Sequence, residues 1–177
     1  MAIPFLSLII FLPLSGVFFL TLVRANDDRN AKAVALWVSV INFVLSCILC
    51  LKFDRFNVGY QFVEKHEWYK DFGIFYYLGI DGLSLYFIVL TTLLTPLCIL
   101  YSWHNIRHKV RQYMMAFLLL ETLVLGAFCS LDLVLFYIFF EGTLIPLFLI
   151  IGVWGGEGRI YACFKFFLYT LLGSVFM

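Results

Sequence analysis

Three ionisable side chains stand inside long apolar runs: Glu121, Glu141 and Lys165. A charge at the centre of a bilayer costs about 2.5–3.5 kcal/mol on insertion scales, so each needs a partner or a water-filled cavity. Two carboxylates and an amine are acid–base groups, and in that setting their chemistry is proton transfer along a relay. Glu141 is set apart by its neighbours. Pro146 lacks an N–H, so the carbonyl of Gly142 four residues earlier has no helical donor, and water can bind beside the carboxylate. Tyr137, one helical turn before Glu141, shares its face and can offer a hydroxyl. The competing reading of Glu141 is a structural hydrogen bond between helices.

Spacing relates the two carboxylates. A short connection is centred near Leu131, with Asp132 beside it; Glu121 lies ten residues before that centre and Glu141 ten residues after it. At 1.5 Å per helical residue both sit about 15 Å from the turn, near the middle of a bilayer. Two carboxylates at one depth on adjacent antiparallel helices could share a hydrated pocket and titrate as a coupled pair. The spacing leaves open whether they face each other. Lys165 follows the turn Gly155-Gly156-Glu157-Gly158-Arg159 by six residues, roughly 9 Å of helix. It either snorkels to the headgroups or joins a relay through water, too far along its helix for direct pairing with Glu141.

Two further clusters carry less. Cys47 and Cys50 form a C-x-x-C inside an apolar run with no second ligand pair, and small buried side chains in a membrane helix explain them better than a metal or redox site. His104 and His108 share a helical face among Arg107, Lys109 and Arg111, without a third ligand, and fit a solvated loop. No Gly-rich phosphate loop, nucleophile elbow or redox-cofactor motif is present.

The elements that must position these residues follow from composition. Of 177 residues, 64% are hydrophobic and only 13% charged, and the mean hydropathy is +1.01. A soluble domain could not cover that apolar surface, and disorder is excluded for the same reason. The solvent is a lipid bilayer. A net charge of +1 gives nucleic acid nothing to bind. The expected fold class is an all-α polytopic membrane protein forming one domain, 1–177, with about six transmembrane helices near residues 1–23, 33–51, 83–103, 113–130, 133–154 and 160–177. The first run is not a signal peptide, having no basic leader and no small-residue cleavage site. The last run is still apolar at Met177, which reads as the front part of a longer polypeptide or one half of a split one.

Basic residues set the expected orientation. Arg24, Arg29, Lys32, Arg107, Lys109, Arg111 and Arg159 fall in loops one, three and five; Lys52, Arg55, Lys65 and Lys70 fall in loop two. Seven against four puts the N-terminus on the periplasmic or intermembrane side. Loop two, residues 52–81, is the substantial extramembrane piece. Phe56, Val58, Tyr60 and Phe62 alternate with polar or small residues, and Phe72–Ile80 is apolar again, a pattern of a short β-hairpin on the membrane surface. Asp81, before Gly82-Leu83-Ser84, is placed to cap the third helix. Trp68, Tyr69, Tyr76, Tyr77, Trp103 and Trp154 near span ends fit interfacial anchoring.

Four stretches carry a family resemblance: Gln61-Phe62-Val63-Glu64-Lys65-His66-Glu67-Trp68; Gly79-Ile80-Asp81-Gly82-Leu83-Ser84-Leu85; Phe139-Phe140-Glu141-Gly142-Thr143-Leu144-Ile145-Pro146 with Ile151-Gly152-Val153-Trp154-Gly155; and Lys165-Phe166-Phe167-Leu168-Tyr169-Thr170-Leu171-Leu172-Gly173-Ser174. Together they resemble the chain 4, or subunit M, family of proton-translocating membrane subunits in respiratory NADH:quinone oxidoreductase (complex I). The resemblance implies a translocase subunit that couples NADH oxidation and quinone reduction to proton pumping. It implies no cofactor in this chain, with NADH, FMN, iron–sulfur clusters and quinone on other subunits. The partners it implies are other membrane-arm subunits in a bacterial or mitochondrial inner membrane. The family's essential helix-five glutamate maps onto Glu141, its helix-four glutamate onto Glu121 and its helix-six lysine onto Lys165.

Members of the family resemble 14-helix proteins with two inverted repeats, and the lysine that pairs with the helix-five glutamate lies on helix seven. The resemblance therefore implies that this chain lacks that lysine and the C-terminal half of the same subunit. Two other readings stand beside it. One is the related membrane component of multisubunit sodium/proton antiporters, without redox coupling; the other is a structural or assembly protein whose buried charges only hold helices together.

Overall fold

The computed structural model describes residues 4–22, 27–54, 56–57, 59–69 and 73–176. Arg24, Arg55, Val58, Lys70, Phe72 and the outermost residues of the first and last apolar runs lie outside the described residues. In chain order the elements are α1 (Phe5–Leu22), α2 (Asp28–Lys52), β1 (Gln61–Tyr69), β2 (Ile74–Ile80), α3 (Gly82–Asn105), α4 (Val110–Cys129), α5 (Leu133–Trp154) and α6 (Arg159–Val175). The apolar runs imply six spans; among the described residues five helices, α1 to α5, are long and apolar enough to cross a membrane. With 17 residues α6 supplies about 25 Å of helix, less than the roughly 30 Å of hydrocarbon.

Helices form here because a backbone in lipid must satisfy its own polar groups. Acidic caps set the starts of α2, α3 and α5. Asp81 accepts from the N–H of Ser84 at 2.7 Å, as its position suggests, and that bond holds its carboxyl below the usual carboxylate range. Asp132 accepts from Val134 N–H and Leu135 N–H at 3.0 and 3.1 Å and starts α5. Asp27 caps α2, which begins five residues before its apolar run, so Arg29 and Lys32 belong to a helix and not to a loop. An apolar run marks only the lipid-embedded part, and the helix continues into water. Lys109, in left-handed backbone (φ 52°), marks the start of α4, three residues earlier than its apolar run suggests.

The hairpin exists but is placed differently from the expected pattern. β1 and β2 pair antiparallel, with Gln61 opposite Ile80 and Lys65 opposite Tyr77. The ladder thus uses the charged stretch Glu64–Glu67, while Phe56 and Tyr60 precede it. Side chains occupy the backbone there: Asp54 accepts from Phe56 N–H, and Asn57 accepts from Gly59 N–H.

α4 lies in the middle, against α1, α2, α3, α5 and β2, whereas α6 packs on α5. Two apolar clusters hold the bundle. One, at the hairpin end, contains Leu6, Ile9, Leu49, Ile88, Leu125 and Phe139; the other, at the far end, contains Leu20, Ala35, Ile99, Met114 and Leu118. Between them, in sequence on α2, α3 and α4, stand buried polar residues: Ser39, Asn42, Ser46, Thr92, Glu121 and Thr122. Loops alternate between the two ends. At the hairpin end the Leu131 N–H donates to Tyr77 O at 2.9 Å, tying the α4–α5 turn to β2. At the other end Lys32 Nζ donates to Trp103 O at 2.6 Å, where a cation suits the exposed carbonyls of a helix C-terminus. Trp154 Nε1 donates to His108 O at 2.9 Å at that same end.

Candidate proton-relay site

Glu121 projects from α4 into the polar layer and is 2% exposed. Its Oε1 accepts from Asn42 Nδ2 of α2 at 2.8 Å. Its Oε2 and the Oδ1 of Asn42 are both buried without a hydrogen-bond partner. A buried acceptor left without a donor is costly, about 1–3 kcal/mol for a neutral group and more for a charged one.

Glu141 projects from α5 towards α6 and is half-buried. Its Oε1 accepts from the buried hydroxyl of Ser174, which also lies 2.9 Å from Leu171 O. A hydroxyl has one proton to give, so Ser174 serves either the carboxylate or the carbonyl at a given moment. Pro146 is buried within α5 and leaves the Gly142 carbonyl without its helical donor. The space beside Gly142 is taken by an α4 side chain: a Cβ there would lie 2.9 Å from Leu123 Cδ2. Gly142 therefore lets the two helices approach closely.

The two carboxylates do not share a partner. Leu123 and Gly126 form the α4 face that meets α5, Gly126 lying against the Phe139 ring. Glu121 is two residues from Leu123, about 200° around the helix, and bonds towards α2. Equal depth in the sequence thus comes with opposite faces in the fold, and the shared pocket that spacing suggested is not how these groups are bonded. Tyr137, 37% exposed, makes no described hydrogen bond to Glu141. Lys165 is exposed on α6 and its ammonium lies 5.7 Å over the ring of Tyr161, bonded to neither carboxylate.

The weaker candidates stay unassembled. His104 and His108 are exposed, and Cys47 and Cys50 are half-buried free thiols. Among the described residues no group of three His, Cys, Asp or Glu could hold a metal ion. Two residues that sequence reasoning passed over prove to be the carboxylates' partners, Asn42 and Ser174. Asn42 had a signal, being an amide deep in an apolar run with Ser39 and Ser46 on the same helical face. Ser174 had little, since a serine in a membrane helix commonly bonds its own backbone.

Known proteins match nearly all of the chain. A family model described as NADH:quinone oxidoreductase/Mrp antiporter, TM, matches residues 130–177. NADH-quinone oxidoreductase subunit M of Rhodobacter capsulatus is 54% identical over 176 residues, covering 97% of this chain and 34% of that protein. NADH-ubiquinone oxidoreductase chain 4 of Marchantia polymorpha is 44% identical over 173 residues, covering 97% and 35% respectively. A chain in the solved structure of respiratory complex I from Thermus thermophilus with bound NADH superposes with a TM-score of 0.80 at 30% identity, covering 96% of this chain and 33% of that one. This chain spans about a third of the length of the curated relatives it matches. A model described as NADH-ubiquinone oxidoreductase chain 4, amino terminus, matches residues 6–130, more than half of the sequence, and on that match the chain belongs to the NADH-ubiquinone oxidoreductase chain 4 family.

Proposed function

We propose that this chain works as part of a proton-translocating membrane subunit of NADH:quinone oxidoreductase. The observation that carries the reading is Glu141. It is a carboxylate set about 12 Å along the membrane-spanning α5, held by a hydroxyl with a second acceptor and flanked by a carbonyl that Pro146 frees. Such a group takes a proton from water and gives it up again, and Ser174 follows by turning its O–H between Leu171 O and the carboxylate. Glu121 is a second acid of the relay. Lys165, exposed on α6, faces whatever packs there in the assembled subunit and supplies a positive charge to it.

NADH, FMN, iron–sulfur clusters and quinone act on other subunits in this reading, and the membrane-arm subunits and the lipid bilayer are the chain's neighbours. The hairpin end, with Glu64 and the α4–α5 turn, faces the periplasm or intermembrane space, as does the N-terminus; the Lys32–Trp103 end faces the cytoplasm or matrix. Basic residues favour that orientation.

A sodium/proton antiporter component is the second reading, favoured by the description of the model matching residues 130–177. The test separates the two. A tagged full-length subunit containing this chain is expected to copurify with flavin and iron–sulfur subunits and NADH–quinone activity. Copurification with antiporter subunits and no flavin would overturn the proposal. Cysteine labels at Asp28 or Lys109 are expected to react from the cytoplasmic or matrix side and a label at Lys65 from the other; reversed access would overturn the orientation.

A further inference from the structure

The polar layer between α2, α3 and α4 contains one place where hydrogen bonding does not close. Its hydroxyls are satisfied: Ser39 donates to Leu36 O, Ser46 lies 2.7 Å from Thr92 Oγ1 and 2.8 Å from Phe43 O, and Thr122 donates to Leu118 O. The exceptions are Asn42 Oδ1 and Glu121 Oε2, fully buried acceptors flanking the 2.8 Å bond between the same two side chains. Exchanging the amide oxygen and nitrogen of Asn42 would not mend this, because a carboxylate has no proton to give. No described protein group donates to either acceptor, and Glu121 itself becomes a donor when it binds a proton.

We infer that Asn42 and Glu121 form a second proton-holding site, separate from Glu141, in which Asn42 is the positioning residue. The inference rests on the proposed function and adds Asn42 to it. In uptake one proton adds to the carboxylate, its charge goes from minus one to zero, and the new O–H supplies the missing donor. In release the proton leaves to water or to the next acid, and Asn42 N–H holds the carboxylate in place for the next one. Among the described residues no other element packed on α4 offers Glu121 a charge. α1 carries no ionisable side chain. The apolar middles of α2 and α3 carry Cys47, Cys50 and Cys98, and β2 carries Tyr76 and Tyr77 at the bundle's end. α5 carries Tyr137 and Glu141, the latter bonded towards α6. The exchange of charge at this site therefore depends on Asn42.

The test is an infrared titration of the carboxyl band that Glu121→Gln removes, in the assembled complex. Asn42→Leu is expected to shift its midpoint by about one to two pH units, the size a hydrogen bond to a charged acceptor carries. Ser46→Ala, which leaves the Asn42–Glu121 bond intact, is expected to leave the midpoint in place. A midpoint unmoved in Asn42→Leu, or a band that never titrates, would overturn the inference. Should Asn42→Leu fail to assemble, the double variant Asn42→Leu/Glu121→Leu is expected to assemble, since an apolar pair needs no donor; a double variant that also fails would assign Asn42 a packing role and overturn the inference. The readout does not require pumping. A Glu141→Gln complex that pumps normally would thus refute the proposed function without moving this band, and an unmoved band would refute the inference alone.

Discussion

Glu64 is the pin between the hairpin and the bundle, and replacing it with Gln is a sharp perturbation. From β1 its carboxylate reaches the first turn of α1: Oε1 accepts from Leu6 N–H at 2.8 Å, and Oε2 accepts from Ser7 N–H at 3.2 Å and from the Ser7 hydroxyl. The Tyr76 hydroxyl completes the cluster, 2.7 Å from Ser7 Oγ. A negative charge at a helix N-terminus is favourable, and these N–H groups have no partner within the helix. Gln keeps one oxygen for Leu6 but turns an NH₂ towards two donors of Ser7. Loss of two bonds to a charged acceptor would cost about 3 kcal/mol or more if the site were dry. Glu64 is only half-buried, water replaces part of the loss, and about 2 kcal/mol is the working figure. Local opening of the first turn of α1 should then rise roughly 30-fold, read as faster hydrogen exchange at Leu6 and Ser7. The amides of Val134 and Leu135, capped by Asp132, should be unaffected. Unchanged exchange at Leu6 and Ser7 would refute this account of the hairpin.

Two other perturbations follow from the same contacts. Gly126→Ala places a methyl against the buried Phe139 ring and should cost about 1–3 kcal/mol in denaturant unfolding, whereas Gly142→Ala meets only the end of the Leu123 side chain and should cost less than about 1 kcal/mol; equal costs would mean that α4 and α5 are not in this contact. Asp81 has a carboxyl held low by the Ser84 N–H, so its capping of α3 is present above about pH 4, the unfolded carboxylate value, and is lost as the pH falls through the lower folded value. Exchange protection at Ser84 should fall on that acidification in the parent and lose this pH dependence in Asp81→Asn.

Much of the fold is legible in the sequence because lipid removes alternatives. A lone apolar segment satisfies its backbone inside hydrocarbon only as a helix, so hydropathy places a helix near residues 133–154, and α5 runs over Leu133–Trp154 with Asp132 as its cap. Where water returns, the signal fades. α2 runs out to Asp28 under the Asp27 cap, and the hairpin ladder uses Glu64–Glu67 because Asp54 and Asn57 divert the preceding backbone. At the candidate site the carboxylates are conspicuous, since burying them is costly. Their partners are not. Which neighbour Glu121 meets depends on the rotation of α4 about its axis, and apolar residues all round a membrane helix leave that rotation unmarked. Gly126 against Phe139 and Gly142 against Leu123 are what fix it, and they turn Glu121 to Asn42 and Glu141 to Ser174.

The hairpin and the site are mechanically connected. Glu64 holds α1, Leu131 N–H holds the α4–α5 turn on β2, and from that turn both carboxylates are hung at their depth, about 15 Å along α4 and α5. Damage at Glu64 should accordingly reach the site through position and not through charge.

The proposed function turns on whether Glu141 carries a proton, and proton pumping per NADH oxidised, in the assembled complex with full-length subunits, measures that most directly. Glu141→Gln keeps an oxygen for the Ser174 hydroxyl, so assembly should be retained while most NADH-driven pumping is lost. Glu141→Asp keeps the acid one methylene short and should retain part of it. A Glu141→Gln complex that assembles and pumps at the parent rate would contradict the account and leave Glu141 as a structural hydrogen bond between α5 and α6.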